Sequence, residues 1–595
     1  MWLLGKTQDG QNQRPPPSKL RITIIQVLAT IVANLPSISP GMVVGFSGVA
    51  LPLMQDEATL SMEQSSWIAS SVSAAAPIGC LLAGVLCERL GRRGALIAVN
   101  VPCLLGWLLI AFVPKSEGKN FPLGGGPGAM AQLIAGRVLT GLATGMASSP
   151  SPVLISEVAT PKLRGMLMCW NSVAIALGNV IVYILGTFFP WRIVAGVSGF
   201  FPILSVIMLM TVSESPIWLL TKGKVEKARQ ALIFYRAGHV AMAEAEFSQA
   251  LEAAAKKAQI NRRRRSSTIS TSFATRSSSF LAALLRPEVY KPFLILNGYF
   301  FFQQFAGMFV VMYYAVDIVL ESGVTGIDPF IATVFIGLVR LIASISVSLG
   351  MKKWGRRAPS IISGAGMTVC LAAVAIHVTT HTKTPVTPFE ETLLSADEKF
   401  NVTEIPAEGG LGIPAEAWLP TIALFGYIAL GTIGFLTIPW AMMGEVFPNS
   451  VRGPASGITS SLTYLWSFGI IKAYPEMAAS FGASGAFFIF GLFSLLGTIF
   501  VTLLLPETQG KNLSEIERGF IEGPCLQLCR KTKSRNKDKQ VNYSEGELEV
   551  AVDLSGSRET ENVAEERNGG ELPFGSVDTR QELPMEDVGR GKPDV

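Results

Sequence analysis

The sequence has little of what catalytic sites are usually built from. It contains three histidines in 595 residues, and no Gly-rich loop leads into Lys-Ser or Lys-Thr, as it does in phosphate-binding loops. A glycine-rich run at 124–128 is interpreted as a flexible turn. We therefore expect no enzyme, no metal site and no cofactor.

Charge is also scarce, at 16% of the residues against 49% that are hydrophobic. Several stretches of about 20 residues lack Asp, Glu, Lys and Arg altogether, and this length crosses the hydrocarbon core of a bilayer. They include 95–113, 194–212, 293–316 and 486–505. The net charge of +5 is distributed among loops, so no nucleic-acid partner is expected. The chain is predicted to be an integral, all-α polytopic membrane protein with the lipid bilayer as a partner.

Twelve transmembrane helices are predicted, in two groups of six separated by a polar segment of about 80 residues. The predicted spans are 22–50, 65–87, 94–114, 129–156, 166–189, 192–212, 293–318, 329–351, 359–378, 417–443, 454–475 and 482–505. The corresponding domains are an N-terminus (1–21), a six-helix bundle (22–212), a helical linker (213–292), a second six-helix bundle (293–508) and a tail (509–595). The linker is rich in Ala, Glu and Lys, whereas the tail is polar and poor in aromatics and is interpreted as disordered.

Basic residues divide the loops into two sets. Those between spans two and three, four and five, six and seven, and eight and nine are basic, and the remaining loops are poor in Lys and Arg. The positive-inside rule places the basic set, and with it both termini, in the cytoplasm of a protein we expect in the plasma membrane. On the external side, Asn401 begins an Asn-Val-Thr sequence and is a predicted glycosylation site. In the linker, Arg262 to Thr268 could bind a kinase or anionic lipid, or form an ordinary basic loop.

Three charged signatures occur once in each half of the chain, in the same order. Gly-Arg-Arg at 91–93 is matched at 355–357, and Glu157 with Arg164 is matched by Glu445 with Arg452 at the same separation of seven residues. Ser-Glu-Ser-Pro at 213–216 is matched by Pro-Glu-Thr at 506–508. Internal duplication explains these pairs and implies two related bundles with a solute path between them.

The same clusters predict a breakable latch at the cytoplasmic face. Arginine forks pair with carboxylates and with the carbonyl groups at helix C-termini, and we expect them to reach the opposite bundle. The alternative is that these charges only orient the helices during insertion. The candidate gating residues are Arg92, Arg93, Glu157, Arg164, Arg356, Arg357, Glu445 and Arg452.

Further motifs lie within the spans. They are Gly136-Arg137 with Gly141 and Gly145 in span four, Gln303-Gln304 with Gly307 and Tyr313-Tyr314 in span seven, and Pro439-Trp440 in span ten. With the charged signatures, they resemble the sugar porters of the major facilitator superfamily, and most of all the insect facilitated trehalose transporters and facilitative glucose transporters. The resemblance covers roughly residues 22–518 and implies the major facilitator fold.

By this resemblance, Gln303 and Gln304 face a central cavity, Trp440 stacks on the apolar face of a sugar, and Tyr313 and Asn171 are further binding residues. One glutamine could instead brace a neighbouring helix, and Trp440 could serve packing. Pro439 removes a backbone donor, so a break and a hinge are expected in span ten.

Departures from the resembled pattern limit the choice of substrate. Ser172 and Phe309 stand where the relatives have amides, and span one has Ser47 near the position of the acid that proton-coupled porters use. Arg340 lies about halfway along span eight, where a charge usually marks a functional cavity, and it could bind cargo or a structural partner. The sequence predicts facilitated uniport of a hexose or trehalose by alternating access. The alternatives are a carrier of another polar or anionic solute through Arg340, and a non-transporting nutrient receptor.

Overall fold

The computed structural model describes residues 19–115, 122–252, 286–324, 327–381, 418–448, 451–509 and 513–522. These residues belong to one compact unit, Met1–Leu528. Asn401, the segment Arg262 to Thr268, most of the N-terminus and nearly all of the tail lie outside the described residues.

Within the described ranges the chain is almost entirely helical, and ten helical segments are long and apolar enough to cross a membrane. The first five are Leu20–Glu57, Met62–Arg89, Arg92–Ala111, Pro127–Val158 and Leu163–Phe188. The other five are Trp191–Leu209, Pro329–Gly350, Arg357–Thr380, Trp418–Val446 and Arg452–Leu504. The predicted class of an all-α membrane protein is confirmed.

Two features account for the difference between ten segments and the twelve spans predicted. The 53-residue segment Arg452–Leu504 changes direction at Gly482, whose φ is 69°, so it contains spans eleven and twelve. Span seven is broken into the helices Pro287–Phe305, Met308–Tyr313 and Ala315–Glu321, none of which is by itself both long and apolar enough to be counted among the ten. It also begins six residues earlier than predicted, because Pro287 starts the helix.

Helix starts follow from local side-chain chemistry. At the start of span two, the Ser61 hydroxyl accepts from the Gln64 backbone N–H at 3.1 Å, and the Gln64 side chain accepts from the Ser61 N–H at 3.0 Å. This capping box satisfies two backbone donors that a helix start leaves free. At the start of span eight, the Asp328 carboxylate accepts from the N–H groups of Phe330 and Ile331.

Spans one to six form the first half of the unit and spans seven to twelve the second. In the first half, span two packs along span four and span one along span five; in the second, span nine packs between spans ten and twelve. The halves meet where span two contacts span eleven and span five contacts span eight. Every candidate binding residue described below lies on spans five, seven, eight or ten.

The described part of the linker is helical and attached to the first half. It contains the helices Pro216–Thr221 and Val225–Tyr235. The Tyr235 hydroxyl donates to the Ser213 carbonyl at 2.5 Å, and the Arg236 guanidinium donates both to Glu246 and to the Val158 carbonyl at the end of span four. The Arg236 contact with Val158 joins the linker to that bundle.

Span ten is broken just before Pro439, the residue at which the sequence predicts a break. The helix Trp418–Gly431 runs into a five-residue π-helical turn, Thr432–Leu436, and a new helix begins at Ile438. Pro439 occupies the first turn of that new helix, where its missing N–H is not needed. The break is present, and its use as a hinge stays a prediction.

Candidate functional site

One charged network lies at the end of the first half where spans two, four and six finish and span three begins. The Arg92 guanidinium donates to both oxygens of Glu157, with the shortest contact at 2.7 Å. The Ser215 hydroxyl donates to the same Glu157 carboxylate. Glu214 accepts from the backbone N–H groups of Arg92 and Arg93, which begin the helix of span three. A carboxylate at a helix N-terminus is stabilised by the helix dipole.

The second half repeats this network with matching residues. The Arg356 guanidinium donates to Glu445 at 2.6 Å, and the Thr508 hydroxyl donates to Glu445 at 2.7 Å. Glu507 accepts from the N–H groups of Arg356 and Arg357 at 3.0 Å each. The internal duplication inferred from the sequence thus has a counterpart in equivalent hydrogen bonds. We call the end of the unit that carries Arg92, Glu157, Arg356 and Glu445 the basic face.

The glycine of each Gly-Arg-Arg motif is required by this geometry. Gly91 has a φ of 89° and Gly355 a φ of 72°, in the left-handed region that other residues rarely adopt. A Cβ atom on Gly91 would lie 2.4 Å from a Glu214 oxygen, and one on Gly355 would lie 2.7 Å from a Glu507 oxygen. The carboxylates therefore occupy the space that these glycines leave open.

The observed pairing differs from the expected latch across the two bundles. Arg92 and Arg356 each pair with a carboxylate of their own half, because the loop and helix ends that carry both partners meet on one side of that half. Arg164 and Arg452 do not bond Glu157 and Glu445; they donate to carbonyls five residues earlier, of Ala159 and Phe447. Arg93 and Arg357 likewise donate to span-end carbonyls of their own half, those of Met210 and Thr502.

Glu507 is ionised at any physiological pH. Partial burial opposes its ionisation, but the N–H groups of Arg357, Gln509 and Arg356 and the Arg356 charge outweigh burial and hold the pKa of the carboxyl below its usual value. Because the folded pKa is lowered, the resulting stabilisation is present above the ordinary carboxyl pKa. It is lost only as the pH falls through the lowered value.

The halves touch each other at both faces. Near the basic face, Ser348 of span eight donates to the Met166 carbonyl at 3.2 Å, and Cys169 packs with Val347, Ile433 and Ala441. At the opposite face, Lys472 of span eleven donates to Ser66 of span two at 2.7 Å. The space between the halves is therefore crossed by contacts on either side of the candidate binding residues.

Neutralising Glu445 is expected to loosen the contact between the halves near the basic face. Glu445→Gln keeps the side-chain shape but removes the charge that fixes Arg356, so the helix ends beside Cys169 become less constrained. The measurement uses a protein with Cys525 and Cys529 replaced by Ser. We expect the buried Cys169 thiol to react with a maleimide about fivefold to thirtyfold faster, because a decrease of about 1–2 kcal/mol in the free energy of local opening raises the exposed population by that factor.

Two controls accompany that measurement. Cys169→Ser in the Glu445→Gln background must abolish the gain, and Glu63→Gln, which removes a carboxylate at the opposite face, must leave the rate unchanged. A Glu445→Gln rate equal to that of the parent would show that the network does not restrain the basic face.

Gln303 and Gln304 have different environments although both are buried. The Gln303 amide donates to the carbonyls of Phe435 and Leu436 at 2.7 and 3.1 Å, both in the π-helical turn of span ten. The Gln304 amide nitrogen lies 3.5 Å from the Gln303 oxygen, and its own oxygen has no hydrogen-bond partner among the described residues. Gln303 therefore braces the break in span ten, and Gln304 has a free acceptor.

The aromatic candidates lie where spans two, seven, ten and eleven meet. The half-buried Trp440 ring packs against Phe300 and Tyr464, with ring centroids 5.1 and 6.2 Å away. The Tyr313 hydroxyl lies 3.5 Å from the Ser73 hydroxyl, which in turn lies 3.3 Å from that of Ser467. Tyr313 is thus part of a hydroxyl chain that joins the two halves.

Asn171 and Arg340 both have buried polar atoms without partners in the described structure. The Asn171 side-chain oxygen is one, and the Nε of Arg340 is another. Arg340 contacts Met312 and Asn179 but not Asn171. Among the six candidate binding residues, Tyr313 and Arg340 contact the other half, and no hydrogen bond among the described residues links all six.

Three further polar residues, Arg137, Asn179 and Lys472, were not among the predicted binding residues. Arg137 is fully buried and donates to the carbonyls of Ile68 and Val43 and to the Ser47 hydroxyl. Asn179 and Lys472 each bond a residue of the other half. The signal available for Arg137 and Asn179 was a strongly polar residue in the middle of an apolar span.

A sequence model described as "Sugar (and other) transporter" matches residues 29–520. A facilitated trehalose transporter Tret1 of Apis mellifera ligustica is 29% identical over 84% of this chain and 89% of its own length. A Tret1-2 homolog of Drosophila sechellia is 30% identical over 84% of this chain and 92% of its own.

Solved structures agree on the fold. The proton:xylose symporter XylE bound to 6-bromo-6-deoxy-D-glucose superposes with a TM-score of 0.62, at 21% identity over 84% of this chain and 99% of XylE. The inward-open xylose transporter XylE from E. coli gives a TM-score of 0.60, at 21% identity over 82% and 98%. At this identity the likeness establishes the fold, and the expected major facilitator architecture is confirmed.

Proposed function

Because this chain belongs to the Sugar (and other) transporter family, we propose that it carries a hexose or trehalose across a membrane by facilitated diffusion. Both of the sequence relatives named above are facilitated trehalose transporters, and the chain spans about nine tenths of their length. The proposal includes residence in the plasma membrane with both termini in the cytoplasm. It describes a carrier and not an enzyme.

The main support for a sugar substrate is the side-chain oxygen of Gln304, which has no hydrogen-bond partner among the described residues. A buried acceptor without a partner costs about 1–3 kcal/mol, so a structure that keeps one has a use for it. The hydroxyl groups of a sugar are donors of the right kind, and the Asn171 oxygen is a second free acceptor. The half-buried Trp440 ring offers an apolar surface for a sugar ring.

Passive transport is supported by the surroundings of Arg137. Within the described residues, this guanidinium bonds two carbonyls and the Ser47 hydroxyl and no carboxylate. A proton carrier needs a group that binds and releases a proton near neutral pH, and neither a guanidinium nor a serine does so. Rocking of the two halves about the central residues would then expose the same site to each side in turn.

Flux through the purified chain in liposomes tests the proposal. We expect labelled trehalose or glucose to exchange against unlabelled sugar, at a rate that neither a pH gradient nor a membrane potential changes. Sugar binding without flux would favour a nutrient receptor instead. Acidification of the liposome interior during sugar entry would replace uniport with proton symport.

A further inference from the structure

Arg340 is a buried cation close to the middle of a membrane span. It is the twelfth residue of the 22-residue segment Pro329–Gly350, and 5% of its surface is exposed. A guanidinium stays charged under all conditions relevant to a protein. From the middle of the span it does not reach the membrane surface, so its charge has to be satisfied inside the protein.

Among the described residues, the hydrogen-bond partners of Arg340 are neutral. Its Nη1 lies 2.8 Å from the Met312 sulfur, a weak acceptor, and 2.6 Å from the side-chain oxygen of Asn179. The orientation of the Asn179 amide follows from its other neighbour, because its nitrogen then donates to the Gly41 carbonyl at 2.5 Å. The Nε of Arg340 has no partner among the described residues.

Arg340 forms no ion pair in the part of the chain that the structure describes. The nearest acids along span seven are Asp317 and Glu321, on the helix that follows Met312. Glu321 accepts from the Tyr474 hydroxyl, and neither acid bonds the guanidinium. A charge buried with neutral partners alone costs several kcal/mol, and an anion that contributes its own charge would remove that cost.

Arg340 lies at the contact between the two halves. Asn179 belongs to span five of the first half, whereas Arg340 and Met312 belong to the second. Separation of the halves on this side would remove the Asn179 amide from Arg340 and open the guanidinium to the space between them. The guanidinium fork is then free to bind a carboxylate or phosphate through two parallel hydrogen bonds.

We infer that Arg340 forms an anion-binding subsite of the transport path, and that the protein takes sugars bearing a carboxylate or phosphate group in preference to neutral ones. The inference rests on the proposed sugar transport and narrows its substrate class. Met312 and Asn179 hold the guanidinium in the absence of solute, and the anionic group of the solute replaces them.

The test compares the apparent affinities of purified protein for D-glucuronate, glucose 6-phosphate and D-glucose, measured by ligand-induced thermal stabilisation at constant ionic strength. We expect the wild-type protein to bind the acidic sugars at least about tenfold more tightly than glucose, as a charge-assisted hydrogen-bond pair provides. Met312→Glu gives Arg340 an internal carboxylate and is expected to bring the ratio close to one. Met312→Gln, of nearly the same shape but neutral, is expected to keep the wild-type ratio.

Arg340→Gln provides a second variant that removes the charge, should Met312→Glu fail to fold, and its ratio is also expected to be close to one. A wild-type ratio near one, or an unchanged ratio in both Met312→Glu and Arg340→Gln, would overturn the inference. Stabilisation by inorganic phosphate equal to that by glucose 6-phosphate would overturn the assignment to a sugar. If the protein carries no sugar into liposomes, the proposed function fails. The affinity ratio of acidic sugars to glucose still shows whether Arg340 binds an anionic group.

Discussion

Gln304→Leu is expected to lower the affinity for the transported sugar about tenfold to a hundredfold while leaving the empty protein at least as stable. The leucine is close in size to glutamine but has no acceptor for a sugar hydroxyl, and loss of a buried hydrogen bond in a complex costs about 1–3 kcal/mol. In the empty protein, the Gln304 oxygen has no described partner, so its removal takes away an unsatisfied buried group. Liposome flux and the melting temperature of the purified protein measure the two effects.

The neighbouring Gln303→Leu variant is the matched control, because it should show the opposite stability. In the wild-type protein, the Gln303 amide donates to two carbonyls in the π-helical turn of span ten. The leucine removes this donor, so those buried carbonyls lose a hydrogen bond. We expect the melting temperature of Gln303→Leu to fall and that of Gln304→Leu to stay level or rise. Equal destabilisation by both variants, with sugar affinity intact in Gln304→Leu, would remove Gln304 from the binding site.

Gly145→Val is expected to prevent formation of the first bundle. A Cβ atom on Gly145 would lie 2.0 Å from the carbonyl oxygen of Ala76, in the backbone of span two. No side-chain rotation relieves a contact with backbone, so spans two and four would have to separate along a large shared surface. The loss then exceeds the roughly 1–3 kcal/mol of ordinary overpacking. Size-exclusion chromatography of the solubilised protein should show little or no monodisperse material.

Gly84→Val controls for the general effect of valine in a span. Gly84 also lies in span two, but a Cβ atom there meets nothing within 4 Å. We expect a normal elution profile and melting temperature for this variant. A Gly145→Val protein that elutes and melts like Gly84→Val would contradict the close packing of spans two and four.

Membrane spans and the internal repeat were predictable because both are local properties of the sequence. A bilayer of fixed thickness demands about 20 apolar residues in a row, whatever the tertiary contacts. The two Gly-Arg-Arg motifs were recognisable from the sequence alone. The structure explains why each contains glycine, because that residue has a positive φ and lies beside a carboxylate. Span seven was placed less well, because breaks at Gly307 and Tyr314 divide one apolar stretch into three helices.

The partners of the charged residues were not predictable from spacing. Glu157 and Arg164, seven residues apart, form the obvious pair in the sequence, yet Glu157 bonds Arg92, 65 residues away. Likewise Arg340 lies 161 residues after Asn179, and nothing near either residue in the chain indicates that they meet. Hydrogen bonds across such distances depend on how helices pack.

The sequence by itself determined the membrane class, the duplication and the family, because apolar length and short motifs carry that information without tertiary contacts. Only the tertiary structure decided which glutamine has a free acceptor, that the charged networks stay within each half, and that Arg340 is buried among neutral partners. The physical reason is the same in each case: a buried polar atom is satisfied by whichever helix lies next to it, and that neighbour is set by packing.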